Sequence, residues 1–112
     1  MKARYIQRGE SIDYTPEADV AAGDIIKIGK IVGIAKLDIK AGELGSLAVV
    51  GVYEIATGVI AVNRGDLVCV DPATGKVCAE SAVGAVKLGH AVNKAEATDT
   101  TVHVRLLQGL NG

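Results

Sequence analysis

No stretch of this 112-residue chain keeps its apolar residues at helical spacing. Short runs of β-branched residues, each stopped by glycine, take that place. Val, Ile and Thr number 15, 10 and 6, and 14 glycines are spread among them. β-Branched side chains fit a pleated, half-buried surface, and glycine supplies the positive φ that tight turns require. The pattern predicts an all-β fold: one domain over residues 1–112, a small barrel or sandwich of about eight short strands with Gly-rich turns.

Alternation is clearest near the end of the chain. Val102, Val104 and Leu106 fall on one face, and Thr101, His103 and Arg105 on the other. Residues 46–55 read differently, because Leu47, Val49, Tyr53 and Ile55 share one face while Ala48, Val50 and Val52 share the opposite one. A run apolar on both faces is a central strand or one that meets a second subunit. Further strands are expected at residues 3–7, 11–14, 25–28, 31–35, 67–70, 77–79 and 88–92. Thr15 followed by Pro16 suggests one helical turn over 16–22.

The chain also echoes itself. Gly23-Asp24-Ile25-Ile26 resembles Gly65-Asp66-Leu67-Val68, and Val32-Gly33-Ile34-Ala35 resembles Leu88-Gly89-His90-Ala91. The order of a Gly-acid turn, an x-Gly-x-Ala strand and a Val-rich strand thus occurs twice, with a hairpin inserted in the second copy. The glycine serves the turn and the acid bonds nearby backbone amides.

Charge narrows the partners. Twelve basic residues stand against 13 acidic, a net charge of −1. That balance argues against a nucleic-acid partner. No apolar run reaches membrane-spanning length and no signal-peptide core opens the chain, so folding in the host cytoplasm is expected. Mean hydropathy is +0.32 although Phe and Trp are absent. A small domain normally covers its large surface with charge. The excess implies apolar surface covered by other copies, and hence a homo-oligomer.

Chemistry-bearing residues are sparse. Cys69 and Cys78 flank a turn opened by Asp71-Pro72 and closed by Gly75. If Asp71 pairs with Lys76, the two thiols face each other across the strands as small reduced apolar groups. A metal would need more ligands, and a disulfide is unusual in a reducing compartment. His90 and His103 read as strand residues, and no carboxylates are paired for acid–base work. Arg64-Gly65-Asp66 reads as a turn. No catalytic, cofactor-binding or metal-binding residue is expected, and no cofactor. Residues 1–14 are richer in anchoring types. They hold Arg4, Tyr5, Arg8 and Tyr14, and Tyr53 is the third tyrosine of the chain. Tyr and Arg are enriched at protein interfaces, so these five are candidate partner contacts, with 1–14 as an interface arm.

The opening Tyr5-Ile6-Gln7-Arg8-Gly9-Glu10-Ser11-Ile12 resembles the start of a family of tailed-phage and prophage capsid cement, or head-decoration, proteins. Val20-Ala21-Ala22-Gly23-Asp24, Val32-Gly33-Ile34-Ala35, Ala41-Gly42-Glu43 and Val50-Gly51-Val52-Tyr53-Glu54-Ile55 continue the likeness in order. Gly65-Asp66-Leu67-Val68, Lys76-Val77, Leu88-Gly89-His90-Ala91 and Val102-His103-Val104-Arg105-Leu106 complete it. Arg8 departs from a frequent Pro, and the Cys pair lies outside the pattern. The resemblance implies a structural virion protein that binds the outer capsid surface, with the major capsid protein as partner and a trimer as its form. An alternative is a lipoyl or biotinyl carrier, another small β fold with a Gly-Asp turn, for which Lys76 is the hairpin lysine.

Overall fold

A computed structural model describes residues 2–57 and 60–111. Among them are nine strands and no helix. They are β1 (Ser11–Tyr14), β2 (Ile25–Ile28), β3 (Ile31–Ala35), β4 (Gly45–Ala48), β5 (Val52–Ala56), β6 (Leu67–Asp71), β7 (Lys76–Cys78), β8 (Val86–Ala91) and β9 (Thr101–Leu106). The first four form an open sheet in the order β1-β4-β3-β2, and the last five close into a barrel in the order β5-β7-β6-β8-β9. The all-β expectation is met.

The echo in the sequence is a repeat of structure. Ile25 pairs with Ile34 and Ile26 with Gly33, as Leu67 pairs with His90 and Val68 with Gly89. Ile34 pairs with Ala48 and Ala35 with Leu47, as His90 with Arg105 and Ala91 with Val104. Ser11 to Tyr14 pair with Ala48 to Gly45, as Val52 to Ile55 pair with Arg105 to Val102. So β1, β2, β3 and β4 correspond to β5, β6, β8 and β9.

The turns repeat too. Asp24 Oδ2 accepts from Ala21 N at 3.0 Å, and Asp66 Oδ2 from Asn63 N at 2.9 Å. Gly23 N donates to Ala35 O and Gly65 N to Ala91 O, both at 2.8 Å. Both glycines have the positive φ expected of them. Isolated bridges Val20–Ile39 and Val62–Ala95 flank the two turns. The extra element of the second repeat is the β7 hairpin, inserted between β6 and β8.

Glycine at the middle of β3 and of its counterpart β8 is a steric requirement in both repeats. A Cβ on Gly33 would lie 2.8 Å from Leu47 Cβ and 3.2 Å from Ala48 O, and a Cβ on Gly89 would collide with the Arg105 carbonyl. The strands approach closely there because no side chain holds them apart.

One core serves both repeats. Ile25, Val32 and Ile34 of the open sheet join Val68, Val70, Leu88, Val102 and Val104 of the barrel. Full burial of each such side chain contributes about 1.5–3 kcal/mol. The other face of the open sheet carries a smaller cluster of Val20, Ala35, Ile39 and Leu47, flanked by Ile12, Tyr14 and Ile26.

Three local expectations are corrected. Residues 46–55 are not one strand: the chain leaves β4 after Ala48, turns at Gly51 (φ 117°) and enters the barrel as β5. β4 is apolar on both faces because both are covered: Leu47 lies in the smaller cluster, and Ala48, the next residue along the strand, is buried on the opposite face. Val50 and Val52 lie exposed at the junction. Residues 16–22 form no helical turn. Their amides and carbonyls are committed elsewhere: Val20 exchanges two 2.8 Å bonds with Ile39, and Ala22 N donates to Asp38 Oδ1 at 2.8 Å. Residues 3–7 form no strand, since no neighbouring edge pairs with them.

Candidate interaction surface

The segment before β1 belongs to neither sheet. Ser11 to Tyr14 are held against β4, and Glu10 O still accepts from Val49 N at 3.0 Å. The unpaired stretch is therefore residues 2–9, shorter than the arm of 1–14 expected from sequence. Tyr5 and Ile6 are each 77% exposed, although both are large and apolar. Arg4 is exposed, and Arg8 forms a 3.4 Å surface ion pair with Glu10.

The five candidate contacts do not form one cluster. Arg4, Tyr5 and Arg8 sit on the unpaired stretch. Tyr14 ends β1, half-buried against the small cluster, while Tyr53 lies in the barrel strand β5, half-buried against the main core. Much of each of these two rings is engaged in holding its own sheet.

Beside Tyr14 lies a cleft of about 630 Å³. Tyr14 lines it from β1, Ile26, Lys27 and Ile28 from β2, and Glu17, Asp19 and Asp24 from the connecting loop. One wall is the edge strand β2, and the other is the end of the edge strand β1 at Tyr14 with the segment 15–20 that follows it. A second cleft, of about 380 Å³, lies among Asp13, Asp38, Lys40 and Glu43 with the exposed Leu37 and Leu44.

The cysteine pair falls where the turn register puts it. Cys69 pairs with Cys78 and Asp71 with Lys76, Gly75 has φ 71°, and both thiols are free. Burial raises the pKa of Cys69, with Glu80 and Cys78 adding to the rise and Lys87 opposing it. Burial, then Asp71, raises that of Cys78. Such thiols stay protonated at neutral pH and are poor nucleophiles. His103 lies across from Glu54 on the exposed face of β9, 3.4 Å from its carboxylate. Among the described residues no group of three or more His, Cys, Asp and Glu is placed to hold a metal ion. No helix among them is long and apolar enough to cross a membrane. Lys76 begins β7 and is exposed.

Two residues that sequence reasoning passed over join the repeats. Gln108 accepts from Val32 N at 3.1 Å and donates to Val32 O at 2.8 Å and Val49 O at 3.0 Å. Asn111 accepts from Lys87 N at 2.9 Å and donates to Lys87 O at 2.7 Å. The chain after β9 thus ties β3 of one repeat and β8 of the other with side-chain amides acting as extra ladder rungs. The only sequence signal is a pair of amides in a Gly-punctuated tail.

Taken together, the features define an all-β module with an unpaired basic segment and an open sheet edge, both of them features suited to binding other chains. The chain belongs to the phage cement protein family, whose sequence model matches residues 6–106. Membership implies association with a phage capsid and a place in the virion. No curated protein and no solved structure matches the chain.

Proposed function

We propose that this protein binds the outer surface of an assembled phage capsid and stabilises it, with the major capsid protein as its partner. The family match over 6–106 carries the reading. The exposed segment 2–9 supports it from the structure. Arg4, Tyr5 and Arg8 are residue types that anchor interfaces, and here Tyr5 is largely exposed to solvent. Tyr14 and Tyr53 present only their exposed edges to a partner and contribute less.

The working form is a homotrimer. Val50, Val52 and Leu107 remain exposed near one another, since Leu106 N donates to Gly51 O at 2.9 Å beside them. Such apolar surface is covered when copies associate around a closed symmetry axis. Three copies on one site then engage three identical patches, and modest contacts become tight through effective concentration.

Co-sedimentation with undecorated capsids tests the reading. The full chain is expected to pellet with the shell. Deleting residues 1–8 is expected to abolish pelleting while leaving a folded protein, and Tyr5→Ala to weaken it with little change in thermal stability. Equal binding by the truncated protein would remove the role of the segment. Failure of the full chain to bind the capsid of its own phage would remove the function.

A further inference from the structure

The first repeat has the strand plan of the second without the strand that closes it. In the barrel, β7 lies between β5 and β6, parallel to β5 through Ala56–Lys76 and antiparallel to β6 through Val70–Val77. Their counterparts β1 and β2 are both sheet edges, and the Tyr14–Ile28 cleft lies between them. An unpaired edge is a template for another strand.

The cleft is acidic and the unpaired segment is basic. Glu17, Asp19 and Asp24 line the cleft against a single Lys27. Among the described residues none of these carboxylates is in a salt bridge. Residues 2–9 carry Lys2, Arg4 and Arg8, with Tyr5 and Ile6 as exposed apolar groups for a strand to bury.

Strand direction decides whose segment fits. A strand with the direction of β7 must run parallel to β1. Only Gly9 and Glu10 separate residues 2–8 from β1, and a parallel pair needs a crossover of roughly a dozen residues or more. The chain's own segment can meet β1 only as an antiparallel hairpin. We infer that residues 2–8 of a second copy of this chain seat between β1 and β2 in the free protein, antiparallel to β2, with Lys2 and Arg4 against Glu17, Asp19 and Asp24. The seated strand closes the first repeat as β7 closes the second. Passed from copy to copy, the exchange forms a ring. It goes beyond shell binding: it concerns copies in solution, where no shell competes for the segment.

Two measurements test it without capsids. In the first, Arg4→Cys protein is mixed with an equal amount of Glu17→Cys protein under mild oxidation, and disulfides are mapped by mass spectrometry. A 4–17 link between the two variants is expected. Its absence, or a 4–17 link forming within single chains of the double variant at high dilution, would overturn the inference. In the second, self-association is followed by sedimentation equilibrium. Arg4→Glu is expected to weaken it about tenfold, and adding Glu17→Arg to restore it. Glu17 is chosen because Asp19 and Asp24 bond Ala41 N and Ala21 N of their own loop. A wild-type monomer at high micromolar concentration, or no rescue by the swapped pair, would also overturn it. Co-sedimentation with capsids is read separately, so either proposal can fail while the other stands.

Discussion

The two repeats share their registers and their turns, yet one is an open sheet and the other a closed barrel. The difference is the β7 hairpin, inserted between β6 and β8. Where β2 passes to β3 through Gly29 and Lys30, the second repeat leaves the sheet after Asp71, lays Lys76–Cys78 beside β6 and returns as β8. Closure abolishes edges, whereas the open repeat keeps two. A duplicated unit has thus become a closed half and a half with free pairing capacity, and the exposed basic segment leads into the open one.

The largest effect should come from substituting the paired glycines. Gly89→Ala places a methyl group into the Arg105 carbonyl inside a closed barrel, where neither strand can move aside. A loss of more than about 4 kcal/mol, or no folded protein, is expected in urea unfolding. Gly33→Ala meets Leu47 Cβ and Ala48 O in an open sheet that can splay. A loss of about 1–3 kcal/mol is expected. Equal losses would show that closure does not stiffen the second repeat.

The amide ties rank next. Gln108→Ala leaves Val32 and Val49 backbone groups without partners, at about 1–3 kcal/mol, and Asn111→Ala, which breaks fewer bonds, should cost less. Hydrogen exchange should show the Gln108 change loosening β3 more than β8.

A pH scan addresses the strand that only the second repeat owns. Both thiols of the β6–β7 ladder have pKa values raised by burial above the ordinary 9.0. A folded-state pKa above the unfolded one means the unfolded chain loses its proton first. The thiols' contribution to stability should be constant below about pH 9 and fall as pH rises beyond it. Cys69→Ala should flatten that fall. A protein that gains stability above pH 9 would contradict the burial.

The smallest effect is expected at the exposed Glu54–His103 pair. Glu54→Gln should change stability by less than about 0.5 kcal/mol, because a solvated ion pair gives little net gain.

The repeat was legible because its signature residues have physical causes: glycine for the positive φ of the turns and the close approach of the strands, and aspartate to accept the turn amides. The β6–β7 register was legible for the same reason, since Asp71 and Gly75 fix the turn and the turn fixes Cys69 opposite Cys78. The break between β4 and β5 was hidden. Val49 and Val50 continue an apolar run, and nothing local says that Leu47 and Ile55 serve different sheets. Residues 16–22 misled because Thr15-Pro16 opens helices in general, while Val20, Ala22 and the Asp19 carboxylate tie this loop to residues 38–41, far along the chain. Segment 3–7 reads as a short apolar run bounded by glycine, but it pairs with no strand among the described residues. Of the candidate contacts, Arg4, Tyr5 and Arg8 were picked by residue type alone. The cleft beside Tyr14 was out of reach, because it exists only through the missing closure of the first repeat.

Stabilisation of the shell is the central claim, and calorimetry of the shell measures it most directly. Undecorated capsids are heated alone and with saturating full-length protein, beside a control with the 1–8 deletion. The melting transition of the shell is expected to rise by several degrees with the full chain and to stay unchanged with the deletion. A shell that binds the full chain and melts where the bare shell melts would contradict the account.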